Sequence, residues 1–156
     1  MGHEMHIKDV AAQHVVASRA HVKFDELGAR LATTVRSIVE RLGPKGRWPT
    51  GAAFAIYHNQ PFRPDDVDVE MGVPVASDVD VHDAAVDSRD LPAGRVAYTV
   101  HRGRYGTIGA AYDELHRWMR EHGHTPAGPP CEVYLISPAQ TDRPDEYLTE
   151  IDVPIR

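Results

Sequence analysis

Cysteine, long apolar runs and positive charge are all scarce in this chain of 156 residues. The single cysteine, Cys131, excludes an internal disulfide and a thiolate-rich zinc site, and a lone thiol favours a reducing compartment. Uninterrupted apolar runs are only a few residues long, and the first residues lack the pattern of a signal peptide or a myristoylation site. We therefore expect a cytoplasmic protein with no membrane partner.

Acidic residues outnumber basic ones, with 23 Asp and Glu against 17 Lys and Arg and a formal net charge of -6. Neutralising the phosphates of a nucleic acid requires a basic surface, so direct nucleic-acid binding is not expected. The length suits one domain, or two small units around a shared core.

Motifs of the common enzyme classes are missing as well. The sequence has no phosphate-binding loop, no dinucleotide fingerprint and no serine nucleophile elbow. Of its ten histidines, His116, His122 and His124 lie close together but match no zinc spacing, so we predict neither a metal site nor a cofactor. His101 precedes a helical pattern and is expected to fix a turn.

An internal repeat is the strongest feature that is present. The segment VEMGVPV at 69–75 recurs as TEIDVPI at 149–155, and RPDD at 63–66 recurs as RPDE at 143–146, in both cases 80 residues later. Each half also has one apolar stripe that steps by three and four residues, with strand-like runs before and after it. These stripes are Phe24, Leu27, Leu31, Val35, Ile38 and Leu42 in the first half, and Tyr105, Ile108, Tyr112, Leu115, Met119 and His122 in the second.

Each half is therefore predicted as β-α-β-β, which gives an α+β fold with antiparallel sheets. We expect a single domain of two repeats, at about 5–76 and 92–156, joined by an acidic linker at 77–91. A sheet of three strands with one helix has little core of its own, so neither half is expected to fold alone.

Alternation along the last strand of each repeat predicts a helix-covered face and an opposite face. The valines of 67–75 form the row that suits the helix, which leaves the glutamates for the other face. With Cys131 and Val133 assigned to the core, the residues predicted together on that other face are Tyr57, Glu70, Glu132, Tyr134 and Glu150. Carboxylates and tyrosine rings on a concave surface suit a flat or cationic organic ligand, and a merely solvated face is the alternative.

Three stretches resemble a known family: VHRGRY at 100–105, PAGPPCEVY at 126–134 and TEIDVPI at 149–155. Together they resemble the GyrI-like, or effector-binding, small-molecule-binding domains of bacterial transcription activators. The resemblance implies a duplicated, SHS2-type β-α-β-β fold with a ligand groove between the repeats, in which an acidic residue in an aromatic pocket meets lipophilic cations.

By this resemblance, Glu150 and Glu132 are the expected pocket acids, and the same two residues are the catalytic candidates if the chain is an enzyme. Cys131 stands where many relatives carry a large aromatic residue, which implies an altered pocket floor or core. Few residues precede the first strand, so the resemblance is to a free-standing member without a DNA-binding module, unless the chain is an excised domain.

Other aromatic side chains are candidates either for lining the groove or for packing. Tyr105, Tyr112 and Trp118 lie on the second helical stripe, where both roles are compatible with the spacing. Trp48 lies in a loop rich in glycine and proline, at a pocket rim or simply on the surface.

Three functions remain open from the sequence. The favoured one is a protein that binds or sequesters drug-like, aromatic, cationic lipophilic compounds. The alternative is a hydrolase of reactive electrophilic natural products, of the cyclopropanoid hydrolase type, in which a pocket glutamate positions water. A protein–protein module that acts through a sheet edge is the third. The sequence leaves the oligomeric state open.

Overall fold

The structure, a computed structural model, describes residues 2–59 and 61–156. Within these residues the chain has eight strands and two α-helices. Their order is β1 (His6–Val10), β2 (Gln13–Val22), α1 (Leu27–Leu42), β3 (Phe54–Tyr57), β4 (Val67–Pro74), β5 (Asp87–Leu91), β6 (Gly94–Arg102), α2 (Ile108–Glu121), β7 (Cys131–Ile136) and β8 (Leu148–Pro154). The strand pairs within each sheet are antiparallel, so the predicted α+β class with antiparallel sheets is confirmed. Neither helix in this part of the chain is long and apolar enough to cross a bilayer.

The chain divides into two compact units, which we call the first unit (12–92) and the second unit (2–11 with 93–156). The sheet of the first unit has the strand order β3-β4-β2-β5, and that of the second unit has the order β7-β8-β6-β1. Each unit contains a strand, a helix and two further strands in sequence order, together with one additional edge strand.

The two edge strands, β5 and β1, do not follow the predicted boundaries. Strand β5 lies inside the segment 77–91 that was predicted as a linker, and the valines of this segment are buried in the first unit. Strand β1 lies in the range assigned to the first repeat but pairs with β6 of the second unit. Both strands are short and rich in charge, as edge strands usually are, so they lack the apolar alternation by which strands are recognised.

Helix α1 covers one face of the first-unit sheet. Its stripe buries Ile38 and Leu42 against Val16 and Val73. The helix ends at Leu42, as the following Gly43-Pro44 predicts, and a 3-10 turn leads to Gly46, whose φ of 67° is a conformation that glycine adopts without strain.

Helix α2 covers one face of the second-unit sheet in the same manner. Ala111, Leu115 and Met119 are buried against Ile151 and Val153 of β8. In each unit, we call the face of the sheet that the helix covers the inner face and the opposite one the outer face.

The register of β7 with β8 changes the predicted assignment of side chains to faces. Glu132 lies opposite Ile151 and Tyr134 opposite Thr149, whereas Glu150 lies opposite Val133. Directly opposite residues share a face, so Glu132 and Tyr134 lie on the inner face and Glu150 lies on the outer face. The prediction that the two glutamates share one surface is wrong, because β7 carries apolar residues on both faces and its alternation does not reveal which one the helix covers.

The first unit requires the same correction. Tyr57 lies opposite Val69 on the inner face, while Glu70 lies opposite Ile56 on the outer face. Both Ile56 and Phe54 are buried although they lie on the outer face, which is why they resemble core residues of the helix-covered side.

Candidate functional site

A buried glutamate on the inner face of the second unit accepts hydrogen bonds from two tyrosines. Glu132, only 7% exposed, projects from β7 toward α2. The hydroxyl of Tyr112 on α2 donates to its Oε2 at 2.6 Å, and the hydroxyl of Tyr134, two residues along β7, donates to its Oε1 at 3.0 Å. A buried carboxylate is costly unless it is hydrogen-bonded, and here both of its oxygens are.

Two further tyrosines extend this group. The ring of Tyr105 stacks on Tyr147, with centroids 5.1 Å apart, and meets the ring of Tyr134 edge-on at 5.9 Å. Burial raises the pKa of Tyr105 to about 12, and the neighbouring Tyr147 and Glu132 add to this effect. Tyr105 therefore keeps its proton at neutral pH. We call Tyr105, Tyr112, Glu132, Tyr134 and Tyr147 the glutamate–tyrosine cluster.

Local sequence explains how the cluster forms. Gly103, with φ of 118°, reverses the chain after β6, and its amide donates to the carbonyl of Tyr147 at 2.8 Å. This bond brings Tyr105, two residues further on, beside Tyr147, which immediately precedes β8. A residue with a side chain would be strained at that φ, so the glycine of the HRGRY motif is required by the turn.

Glu150, the other predicted pocket acid, belongs to a separate group on the outer face. Its Oε2 lies 2.7 Å from the Nζ of Lys8 on β1, and that ammonium also lies 4.3 Å from the ring centre of Tyr98. Burial acts to lower the pKa of Lys8, but the hydrogen bond to Glu150 and the nearby Asp152 raise it overall. Lys8 is thus held as a cation.

Asp152 completes this outer-face group. Burial, a hydrogen bond to Glu150 and the charge of Glu150 together raise the pKa of Asp152 to about 8, while Lys8 acts in the opposite direction. Its Oδ1 is buried and has no hydrogen-bond partner. Asp152 therefore holds a proton at neutral pH, and Glu150 is the ion-pair partner of Lys8.

Glu70, the counterpart of Glu150 in the first unit, is fully engaged. Arg89 donates to it through Nε and Nη2, both at 2.6 Å, and the Nε2 of His58 lies 2.9 Å from its Oε1. Burial acts to raise the pKa of Glu70, but the hydrogen bonds from Arg89 and His58 hold it below its usual value. This carboxylate is a structural ion-pair partner rather than an open site.

Three predicted site residues remain, Trp118 in the second unit and Trp48 and Tyr57 in the first. Trp118 packs on the second-unit core, and its ring stacks on His122 at 4.4 Å and on His124 at 5.7 Å. Trp48 is 65% exposed. The ring of Tyr57 meets that of Phe62 edge-on, with centroids 6.2 Å apart, so the inner face of the first unit also carries an aromatic residue.

Sequence reasoning missed Tyr147, Lys8 and Asp152. Asp152 lies within the repeated segment at the place of Gly72, so the comparison of the repeats contained its signal. Lys8 and Tyr147 had no such signal, because only strand pairing and the Gly103 turn bring them to their partners. In the described part of the chain, no three His, Cys, Asp or Glu side chains are grouped to hold a metal ion.

A buried carboxylate among tyrosine rings is a combination of polar and aromatic groups that suits a small organic molecule. The chain belongs to the GyrI-like small molecule binding domain family, which matches residues 3–156. No curated protein matches the sequence significantly.

Solved structures share the fold at low sequence identity. The C-terminal domain of EcmrR is 21% identical with a TM-score of 0.91, and the match covers 100% of this chain and 99% of that one. A hydrolase from Listeria innocua is 11% identical with a TM-score of 0.71, covering 99% and 93%. SAV2435, bound to tetraphenylphosphonium, is 13% identical with a TM-score of 0.65, covering 98% and 94%.

Proposed function

We propose that this protein binds flat or bulky lipophilic cations at the glutamate–tyrosine cluster, with Glu132 as the acid that selects positive charge. The observation that carries the proposal is a buried carboxylate whose two oxygens are held by tyrosine hydroxyls. The cation in the SAV2435 structure, which shares the fold, belongs to the same chemical class.

The surroundings of Glu132 suit such a ligand in two ways. Tyrosine rings offer negative π-faces to a cation and a large apolar area to its aromatic groups. A carboxylate in a low-dielectric site interacts more strongly with a charged ligand than it does in water. Glu150 has no part in this site, because it lies on the outer face and pairs with Lys8.

Calorimetric titration with tetraphenylphosphonium tests the proposal. Tetraphenylborate, an anion of the same shape, is the matched probe that isolates charge from shape. We expect the wild type to prefer the cation, and Glu132→Gln to lose at least about tenfold in affinity for it, which is about 1.4 kcal/mol, since the substitution removes the negative charge that attracts the phosphonium. Glu150→Gln is the control and should bind like the wild type. Equal affinity of the wild type and Glu132→Gln, with the fold intact by circular dichroism, contradicts the proposal.

Hydrolysis is the second candidate, and the contacts of Tyr112 and Tyr134 with Glu132 favour it. In a strained cyclopropane substrate, Glu132 would position water and a tyrosine would donate a hydrogen bond to the developing negative charge. The water oxygen bonds to a ring carbon, the ring bond breaks, and its electron pair moves to a conjugated carbonyl oxygen that takes up the proton.

Mass spectrometry of a cyclopropane-bearing alkylator after incubation with the protein tests for hydrolysis. A hydrated product formed over many turnovers supports hydrolysis, and protection at one molecule per protein without product supports binding alone.

A further inference from the structure

A line of hydrogen-bonding side chains connects α2 to the turn that carries Tyr105. The Oε2 of Glu114 on α2 lies 2.5 Å from the Nδ1 of His3, and the Nε2 of His3 lies 3.2 Å from the Nδ1 of His101. On its other side, the Nε2 of His101 lies 3.1 Å from both the carbonyl oxygen of Arg104 and the Oγ1 of Thr107. We call Glu114, His3 and His101 the histidine relay.

The partners at its two ends determine how many protons the relay holds. A carboxylate and a backbone carbonyl only accept hydrogen bonds, so the Nδ1 of His3 and the Nε2 of His101 must each carry a proton. The two nitrogens that face each other between the rings need one proton between them. A hydrogen bond at each of these three junctions requires three protons on the four ring nitrogens, one more than two neutral rings carry.

Charges near the relay agree with this proton count. The ring and the backbone amide of His3 both bond to Glu114 and hold its pKa below the usual value, so Glu114 is ionised at neutral pH. Arg117, on the same helix, acts in the same direction on Glu114. A fourth proton would set two N–H groups against each other between the rings, and the loss of the third would set two lone pairs against each other there.

His101 is placed to hold Tyr105. It is only 4% exposed, and the two residues it contacts, Arg104 and Thr107, flank Tyr105 in the turn before α2. Thr107 also donates to the carbonyl of Arg104 at 3.0 Å, which closes the turn. Tyr105 in turn stacks on Tyr147 and meets Tyr134, which bonds to Glu132.

We propose that His101 is a positioning residue for Tyr105, and that His3 and Glu114 lock its ring by sharing one positive charge across the two imidazoles. The relay sets one aromatic wall of the glutamate–tyrosine cluster without touching a ligand. Its consequence for ligand affinity rests on the proposed function, whereas its structural part does not.

The structural part is tested in the ligand-free protein by nitrogen-15 NMR of the histidine rings at neutral pH. We expect three of the four ring nitrogens of His3 and His101 to be protonated. We also expect nuclear Overhauser contacts between the rings of Tyr105 and Tyr147. Two neutral rings, or two fully protonated ones, overturn the relay.

Two substitutions at position 101 separate positioning from general stability. In His101→Gln the amide donates to Arg104 and its oxygen accepts from His3, so this variant should keep the Tyr105–Tyr147 contacts. His101→Leu has neither group and should lose them. His21→Gln, an exposed histidine of the first unit, is the matched control. If Tyr105 keeps its contacts in a folded His101→Leu, or loses them in a folded His101→Gln, positioning by hydrogen bonds is wrong.

Tetraphenylphosphonium affinity then links the relay to the site. We expect His101→Leu to bind up to about tenfold more weakly, which corresponds to one lost aromatic contact, and His101→Gln to bind like the wild type. If the wild type does not bind the cation, the proposed function fails while the NMR results still decide the relay. If the wild type binds and His101→Leu binds equally well, the link between the relay and the site is wrong.

Discussion

Glu70 in the first unit and Glu150 in the second occupy corresponding places on the outer faces, but their surroundings differ. On its edge strand β5, Arg89 pairs with Val15 of β2. On the edge strand β1, Lys8 pairs with Val96 of β6, so the two cations also occupy corresponding places. In the first unit Arg89 binds Glu70 through two nitrogens, with His58 as a second partner.

In the second unit Lys8 pairs with Glu150, and a second carboxyl group lies beside that glutamate because Asp152 stands where the first unit has Gly72. The inner faces differ as well, since Glu132 of β7 corresponds to Ala55 of β3. In the first unit the charge of Glu70 is therefore compensated by Arg89. The second unit has one additional acidic residue on each face, Asp152 on the outer face and Glu132 on the inner face. Two units with similar folds therefore differ in the number and pairing of their charged side chains, because substitutions at single strand positions change which charges are present.

Gly72→Ala should have the largest effect on stability. A Cβ at this position would lie 2.8 Å from the Cα of Ala17 and closer still to the carbonyl oxygen of Val16, so strand β2 would have to move. We expect a loss of about 3 kcal/mol or more in the free energy of unfolding, measured by urea denaturation. Gly94→Ala, where a Cβ meets nothing within 4 Å, is the control and should stay within about 0.5 kcal/mol of the wild type. A tolerated Gly72→Ala would mean that the first unit has room for the acid it lacks.

Arg89→Ala should have the next largest effect. It leaves the buried carboxylate of Glu70 with His58 alone, and removing one partner of a buried pair is strongly destabilising. Because the Arg89 side chain is 44% exposed, we expect a reduced cost of about 2–3 kcal/mol by urea denaturation. Arg95→Ala, which removes an exposed pair with Asp9, is the matched control and should change stability little. Equal effects of the two substitutions would show that Glu70 is better solvated than its burial indicates.

Asp152 should make stability depend on pH. Its folded pKa of about 8 lies above the ordinary value of 3.8, so between these values the folded state binds a proton that the unfolded state lacks. Stability therefore falls as pH rises through this window, by up to about 1.4 kcal/mol per unit, and the loss is complete above pH 8. Denaturation at pH 6, 7 and 8 should show a decline of about 2 kcal/mol in the wild type that Asp152→Asn removes.

His14 and His82 have raised pKa values and produce a decline with pH of their own. The quantity to compare is therefore the difference between the wild type and Asp152→Asn at each pH. A difference that does not change with pH would show that Asp152 is ionised throughout.

Lys8→Met should have the smallest effect. Its ion pair with Glu150 is single and its side chain is 36% exposed, so solvent already screens the interaction. We expect a loss below about 1 kcal/mol at pH 6, where a proton on Asp152 limits the negative charge, and a larger loss at pH 9. A cost as large as that of Arg89→Ala would remove the distinction between the two units.

The helices were predictable because a helix repeats every 3.6 residues and its buried stripe is local information. The end of α1 followed from Gly43 and Pro44 in the same way. The edge strands β1 and β5 were not predictable, because their stability comes from pairing with β6 and β2 and not from an apolar pattern of their own.

The sequence named four of the five members of the glutamate–tyrosine cluster as candidate residues, but it did not predict their arrangement. Glu132, Tyr134, Tyr112 and Tyr105 do lie together, whereas Glu150 lies on the other face of the sheet. Alternation divides a strand into two faces but does not say which one a helix covers, and a shift of one residue exchanges them.

The sequence by itself determined the α+β class and the two amphipathic helices, because these depend on local periodicity. It also showed directly the internal repeat and the residue types available for a site. Only the tertiary structure decided which glutamate meets the tyrosines, which one meets a lysine, and that His3 reaches His101. These are contacts between residues far apart in sequence, and strand register and chain reversal set them.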